Sequence, residues 1–384
     1  MKVIMLTRAA LPFHDYGGLE KFVYYLSKNL VNEGVDVEIV TSCHRNMTKK
    51  VDTLKYAFIP PLVNSNPNVP HLIRAGQLYL RYNLFILSAA KYLVKRKFDV
   101  LHSYEMAAQK YLHFKERSPT IVQAFNNEVC KVDGYKKTLW TPAVSKLKDC
   151  MLRCDAVASE GTFQNEEIVR LFGVDRNKII VIPVGVDLSL INEKLEKTRI
   201  SRRELGLSSK DFVLISVNRL TSIKGINYLI EAFSIIKTRV EDAKLLLIGT
   251  GPEERRIEKQ VYNLKLKESI LHLKKVSESL LYACYSLADI YVSPTLQEDF
   301  IIGILEAMAC GLPIISTGQS FLVHSRRNGY VVPKRNAKAI ADAVLKVYDE
   351  NTCSKMGKAS QEIVKNYDWR VIARNTIREY ERLI

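Results

Sequence analysis

Val292-Ser293-Pro294-Thr295-Leu296-Gln297-Glu298-Asp299-Phe300-Ile301-Ile302-Gly303-Ile304-Leu305-Glu306-Ala307-Met308-Ala309-Cys310-Gly311-Leu312-Pro313 is the most informative stretch of the chain. It opens as a strand that ends at Pro294, because proline cannot donate to a sheet ladder. A loop carrying Glu298 follows, a helix starts near Phe300, and Gly311 with Pro313 stops it. Glu306 sits two turns beyond Glu298. Such carboxylates can accept paired sugar hydroxyls, and free N–H groups at a helix start can hold phosphate oxygens. The spacing of the two glutamates carries no information by itself; the loop, the helix and the run EAMACGLP around them give it meaning.

Strand, loop and helix recur on both sides of this stretch. Short β-branched runs at 212–217, 244–248, 270–273, 290–292, 313–316 and 329–332 read as strands, with a helix over 225–237. Earlier runs at 2–7, 35–41, 100–102, 120–124, 156–159 and 179–182 do the same, and Phe22, Leu26 and Leu30 mark a helix over 19–33 that Gly34 stops. Ile182-Pro183-Val184-Gly185-Val186-Asp187 interrupts the alternation, which restarts after the charged stretch 192–203. The reading is an α/β chain of two Rossmann-like halves joined near residue 188. Open α/β sheets bind ligands beyond the carboxyl ends of their strands, so a cleft between facing halves is expected. The chain of 384 residues suits two domains, and 47% hydrophobic with 26% charged residues excludes a disordered or fibrous chain.

Three further loops could hold anions. Asp15-Tyr16-Gly17-Gly18-Leu19-Glu20 joins the first strand to the first helix, where paired glycines allow close backbone approach; a plain turn would look the same. Val217-Asn218-Arg219-Leu220-Thr221-Ser222-Ile223-Lys224-Gly225 carries two cations, a planar fork and a mobile point charge, that suit two linked phosphates, unless they are ordinary surface charges. Ile248-Gly249-Thr250-Gly251-Pro252-Glu253 approaches a dinucleotide fingerprint but has Glu254 where the third glycine belongs, which disfavours nicotinamide binding.

The net charge of +16 is uneven. Residues 45–153 hold 19 Lys+Arg against 7 Asp+Glu, a net of +12. Within them, the stretch 70–97 contains Arg74, Arg81, Lys91, Lys95, Arg96 and Lys97 and no acid, interleaved with Leu, Tyr, Phe and Ile. A helix of this kind either lies on an anionic membrane surface or is a core helix with a solvated basic face. Nucleic acid is not expected as a partner, for no zinc-finger spacing, RNP-like motif or Arg/Gly-rich tail is present. The opening run, Met1 to Leu6, reads as a buried strand and not as a signal segment, and no stretch reaches the ~18 apolar residues of a membrane span. The seven cysteines form no CxxC pair and read as reduced, buried thiols without metal, so a cytoplasmic location is expected.

In order along the chain, GGLEKF, IPVGVD, NRLTSIKG, LIGTGPE and EDFIIGILEAMACGLPII resemble the motifs of retaining glycosyltransferases of family 4, which have the GT-B fold. The closing Tyr367-Asp368-Trp369-Arg370-Val371-Ile372 is similar to the segment with which the last helix of that family crosses back to the first domain. The resemblance implies an acceptor-side domain of residues 1–187 plus 368–384 and a donor-binding domain of 188–367. It implies a sugar moved from a nucleotide-diphosphate donor to a lipid-linked, glycan or polysaccharide hydroxyl. Arg219 and Lys224 would bind the diphosphate, with the amides around Phe300, Ile301 and Ile302 holding phosphate and Gly17 and Gly18 approaching from the acceptor side. Glu298 would contact donor-sugar hydroxyls, Glu306 the ribose, and Lys275 with Val276 the nucleobase. No metal or cofactor is implied, because cations and a helix dipole neutralise the leaving diphosphate.

The sequence departs from the family at several of these places. Where a histidine is common after the strand at 120–124 it reads Phe125-Asn126-Asn127-Glu128, and Asn126 can donate a hydrogen bond but cannot act as a general base. Asp299 and Ile301 replace glycines after Glu298, Val184 replaces an asparagine, and Gly318-Gln319-Ser320-Phe321-Leu322 stands for a usual Gly-Gly segment. An alternative function is therefore a weak or inactive GT-B protein that binds a sugar nucleotide as a partner subunit. The basic segment 45–153 points to peripheral attachment to an anionic, inner membrane face.

Overall fold

The computed structural model describes residues 1–14, 18–42, 50–60, 71–124, 141–198, 200–296, 302–318 and 321–384. The chain divides into two compact units, Met1–Val184 with Trp369–Ile384, and Gly185–Asp368.

The first unit runs β1 (Lys2–Leu6), α1 (Gly18–Asn32), β2 (Asp36–Ser42), β3 (Lys50–Val51), β4 (Leu54–Ile59), α2 (His71–Leu93), β5 (Val100–Tyr104), β6 (Thr120–Gln123), α3 (Thr141–Arg153), β7 (Ala156–Ser159), α4 (Thr162–Phe172) and β8 (Ile179–Val181). Its sheet has the order β3-β4-β2-β1-β5-β6-β7-β8, parallel except for the β3–β4 hairpin. The second unit runs α5 (Leu188–Lys197), β9 (Phe212–Val217), α6 (Ile226–Lys237), β10 (Ala243–Ile248), α7 (Glu254–Asn263), β11 (Ile270–Leu273), α8 (Glu278–Leu287), β12 (Ile290–Ser293), α9 (Ile302–Ala309), β13 (Ile314–Ser316), β14 (Gly329–Val331), α10 (Ala337–Asp349) and α11 (Cys353–Val364). Its sheet, β11-β10-β9-β12-β13-β14, is parallel throughout.

Both faces of each sheet are covered, which is why the strands read as continuous apolar runs. In the second unit Phe212 and Leu214 pack with Phe233 and Val344 on one side, while Val213 and Ile215 meet Tyr285, Met308 and Ile363 on the other. Alternation along one strand thus feeds two cores. The expected strands all form, with ends shifted by a residue or two. The hairpin of β3 and β4 escaped the sequence reading. Leu54, Tyr56 and Ile59 are buried there, but Lys50 and Lys55 break the apolar run in a basic stretch, and Lys55 pairs with Asp36 at 2.6 Å.

Past Asp368 the chain re-enters the first unit as α12 (Trp369–Glu381), which lies along α1. Trp369 packs edge-on to Phe22, with ring centroids 5.4 Å apart, and stacks on Tyr25. Tyr380 then reaches the sheet at His102, which is wholly buried and stacked on Tyr104. Gln123 Oε1 accepts from His102 Nε2 at 3.3 Å, so Nδ1 is the atom that accepts from the Tyr380 hydroxyl at 2.7 Å. Chemically this is a neutral imidazole, because burial pushes the His102 pKa down to about 3. The folded chain therefore refuses a proton that the unfolded chain takes up near pH 6.5. Stability contributed by a neutral His102 is complete above that pH and is lost as pH falls toward 3. Between pH 6.5 and 5, where carboxylates are still mostly ionised, wild-type stability should fall by up to ~1.4 kcal/mol per pH unit more than that of His102→Gln. Denaturant unfolding at several pH values checks this; parallel slopes for the two proteins would show that His102 is not held neutral.

Candidate active site

In the second unit the chain order reverses between two neighbouring strands. From β9 it passes outward to β10 and β11, then returns to β12 on the other flank of β9 and continues to β13 and β14. Loops leaving β9 and β12 therefore part in opposite directions, and in sheets of this kind that switch point is where ligands bind. The Arg219–Lys224 loop and the Glu298 loop of the sequence reading leave from these two strands.

The loop after β9 is held on two sides. Leu220 N donates to Thr250 O at 2.9 Å and Asn218 N to Ile248 O at 3.0 Å, tying it to the loop after β10. Leu296 N donates to Ile223 O at 2.8 Å, tying it to the segment after β12. Two glycines permit this closeness. Gly225 has φ +63°, and a Cβ on it would lie 2.1 Å from Pro294 O; Gly249 has φ +132°, and a Cβ there would lie 2.0 Å from Asn218 O. Thr317, after β13, donates its N–H to Ser293 O at 3.1 Å and its hydroxyl to Thr295 O. One continuous rim of hydrogen-bonded loops results along the carboxyl edge.

On this rim Arg219 is exposed and its guanidinium has no hydrogen-bond or ion-pair partner among the described residues. Lys224, in the turn before α6, is half-buried. Glu306 lies on α9, one turn after Ile302. Tyr285 of α8 donates its hydroxyl to Glu306 Oε2 at 3.1 Å and lies 3.4 Å from Gly303 O, while Tyr291 of β12 approaches Val217 O at 3.5 Å. Burial first, and the Glu306 charge second, push the Tyr285 pKa well above its usual value, so this phenol stays a donor to the carboxylate. Lys275 and Val276 follow β11 at the far end of the rim, exposed and half-buried respectively. The acid that spoiled the dinucleotide fingerprint is accounted for: Glu254 forms an ion pair with Lys274, whose hydrogen bond holds the carboxyl below its usual range.

Glu298, Phe300 and Ile301 lie outside the described residues, as do Gly17 and Asn126. Gly18 is the exposed first residue of α1, with no atom within 4 Å of where its Cβ would be. The first unit has its own switch point between β1 and β5, and the sequence reading named neither residue found there. Arg8, just past β1, donates Nε to Glu105 Oε2 at 3.0 Å, and the Tyr82 hydroxyl donates to the same oxygen at 3.0 Å. The Glu105 carboxylate raises the Arg8 pKa, and the terminal N–H groups of the guanidinium have no partner among the described residues. A cation directly after a first strand, with an acid directly after its later neighbour, was the available signal.

Comparison with known proteins places this geometry. The glycosyltransferase family 4 model matches residues 16–190, and the model of glycosyl transferases group 1 matches residues 197–363. The chain belongs to glycosyltransferase family 4. It is a glycosyltransferase. An uncharacterised glycosyltransferase of Methanocaldococcus jannaschii is 25% identical over 393 residues, covering 99% of this chain and 98% of the relative. The UDP-Gal:alpha-D-GlcNAc-diphosphoundecaprenol alpha-1,3-galactosyltransferase of Escherichia coli is 24% identical, with 88% of this chain and 86% of that one covered. Among solved structures, sucrose-phosphate synthase from Thermosynechococcus elongatus superposes with a TM-score of 0.79 at 22% identity, covering 100% of this chain and 98% of its own. That likeness shows the GT-B fold.

The two glycines of Gly225 and Gly18 set up a contrast within the transferase. Gly225→Ala adds a methyl where φ is positive and a carbonyl stands 2.1 Å away, so it should cost well over ~1 kcal/mol and lower the melting temperature by several degrees. Gly18→Ala enters open space and should leave thermal unfolding within about a degree of wild type. Equal melting temperatures would show that the loops after β9 and β12 do not meet as described.

Proposed function

We propose that the transferase moves a sugar, with retention of its anomeric configuration, from a nucleotide-diphosphate donor to a hydroxyl of a lipid-linked or glycan acceptor, without a metal ion. The observation that carries this reading is the rim at the β9/β12 switch point, where exposed Arg219 and half-buried Lys224 stand on the loop after β9 and a tyrosine-held Glu306 stands on α9, the helix that follows β12. In this reading Arg219 and Lys224 hold the diphosphate and supply the positive charge that a metal would otherwise bring as the leaving group departs. The N–H of Ile302, the first residue of α9, adds the helix dipole to the same phosphate, and the amides of Phe300 and Ile301 are assigned to it from the sequence. Glu306 accepts the ribose hydroxyls, Glu298 the hydroxyls of the donor sugar, and Lys275 with Val276 contacts the base. Gly17, Gly18 and Asn126 belong to the acceptor side.

The chemistry balances without a protein base. The bond between the anomeric carbon and the diphosphate oxygen breaks. The acceptor oxygen bonds to that carbon on the same face, and its proton passes to the departing phosphate oxygen. That suits a site where Asn126 stands in place of a titratable group. The name of the Escherichia coli relative, with a UDP-sugar donor and a lipid diphosphate acceptor, supports both substrate classes for this chain. Among the described residues no helix is long and apolar enough to cross a membrane, so a lipid-linked acceptor would be met at a surface. The basic segment 45–153 of the acceptor-side unit is proposed to bring the enzyme to an anionic, cytoplasmic membrane face.

A thermal-shift screen of nucleotide sugars should yield one stabilising donor class, and EDTA should not change turnover of that donor. Arg219→Ala and Glu298→Ala should each lower kcat/KM by ~10²–10³-fold, the usual scale for losing one group that stabilises transition-state charge. Turnover persisting in both variants would refute the assignment. Tyr285→Phe removes one hydrogen bond to Glu306 and should weaken nucleoside diphosphate binding roughly five- to tenfold by calorimetry. Unchanged affinity would show that Glu306 does not touch the nucleotide.

A further inference from the structure

The helix α2 has two faces that bear on the two readings its sequence left open. Its inward face is core: Tyr82, Phe85, Ile86, Ala89, Ala90 and Leu93 are buried against the sheet. Its outward face is not merely solvated charge. Leu80 is 61% exposed, Leu84 45% and Leu87 52%. With ~100° of turn per residue, positions 80, 84, 87 and 91 fall within about 60° of one another, so three leucines and Lys91 form one row along the helix. A contiguous apolar row of this kind facing water marks a contact surface.

The charges around the row select the partner. Lys91 stands in the row and is exposed, Arg81 is exposed beside it, and Lys95, Arg96 and Lys97 are exposed just past the helix end. From the neighbouring helix α3, Lys146 reaches across to bond Asn83 and sits 5.0 Å over the Tyr79 ring, adding a further cation on the flank. No acid occurs anywhere from residue 70 to 97. Two acids meet α2 from the sheet side, Glu38 at the Tyr92 hydroxyl (3.3 Å) and Glu105 at the Tyr82 hydroxyl (3.0 Å), and neither bonds a residue of the row. Apolar side chains bordered, among the described residues, by cations have the chemistry of a helix lying in the headgroup region of an anionic bilayer. A second copy of the same face would set cation against cation.

We propose that the outward face of α2 is the bilayer-docking surface of this chain, with Leu80, Leu84 and Leu87 entering the acyl boundary and Arg81, Lys91 and Lys95 on anionic headgroups. The inference rests on the reading that the enzyme works at an anionic membrane, and it assigns that contact to one face of one helix. Two binding components follow: an electrostatic one that salt screens and an apolar one that salt leaves in place.

The test is co-sedimentation of the full chain with vesicles of phosphatidylcholine alone and with one third phosphatidylglycerol, at low and high salt. Wild type should bind the anionic vesicles and not the neutral ones. Lys91→Gln with Lys95→Gln should weaken binding at low salt roughly 25-fold, about fivefold for each cation lost near the surface. Leu84→Gln with Leu87→Gln should weaken it roughly tenfold or more and remove the binding that survives high salt. All four side chains are exposed, so thermal unfolding should match wild type in both variants. Wild type binding anionic vesicles while both variants bind equally well would overturn the assignment to α2 and leave the membrane reading standing. Wild type binding neither vesicle would overturn both. A wild-type dimer that Leu84→Gln with Leu87→Gln dissociates would make the row a self-association face and overturn the proposal.

Discussion

The close approach of two loops at the β9/β12 switch point is the constraint on which the candidate site depends. Parallel strands send successive connections to the same edge, and reversal of the order between β9 and β12 parts their loops there. Arg219 and Lys224 come from one loop, and the segment leading to α9 from the other. What joins them is a backbone hydrogen bond from Leu296 to Ile223 and the absence of a side chain at Gly225, where a Cβ would collide with Pro294 O. Without that approach the cations and the α9 carboxylate would belong to separate surfaces.

Electrostatics around this junction is arranged with little waste. Arg219 is exposed with no hydrogen-bond or ion-pair partner among the described residues, whereas Glu254, at the start of α7 after the Gly249 loop, is paired with Lys274. Glu306 is steadied by a phenol that burial and the carboxylate itself keep protonated. In the first unit a similar pairing occurs past β1 and β5, where Glu105 holds the Nε edge of Arg8. Fixed partners thus sit behind Glu306 and Arg8, the kind of restraint that preorganises a side chain before a ligand arrives.

Much of this was legible from local pattern alone. Strands such as 156–159 and 212–217 announce themselves because both faces are covered and every position is apolar or small. Arg219, Lys224 and Glu306 could be named as candidates because motif order along the chain is a one-dimensional signal. Arg8 and Glu105 were not, since 97 residues separate them and only the pairing of β1 with β5 makes them neighbours. Tyr285 escaped for the same reason: nothing about a tyrosine in an apolar helix says that its hydroxyl meets a carboxylate 21 positions away. The β3–β4 hairpin escaped because lysines interrupt its apolar alternation.

The helix α2 divides the two sources of information most clearly. By itself, the sequence determined that 70–97 is acid-free, basic and interleaved with apolar residues, and that the chain alternates strands and helices around family motifs in order. Composition and periodicity are properties of neighbours along the chain, so they can be read without a fold. Only the tertiary structure decided which apolar residues of α2 enter the core and which leucines remain outside, and which distant side chains stand behind Arg8 and Glu306. The physical reason is that burial and hydrogen-bond partnership are set by what the sheet brings across the chain, and a helix rich in apolar residues on every side offers more than one face it could bury.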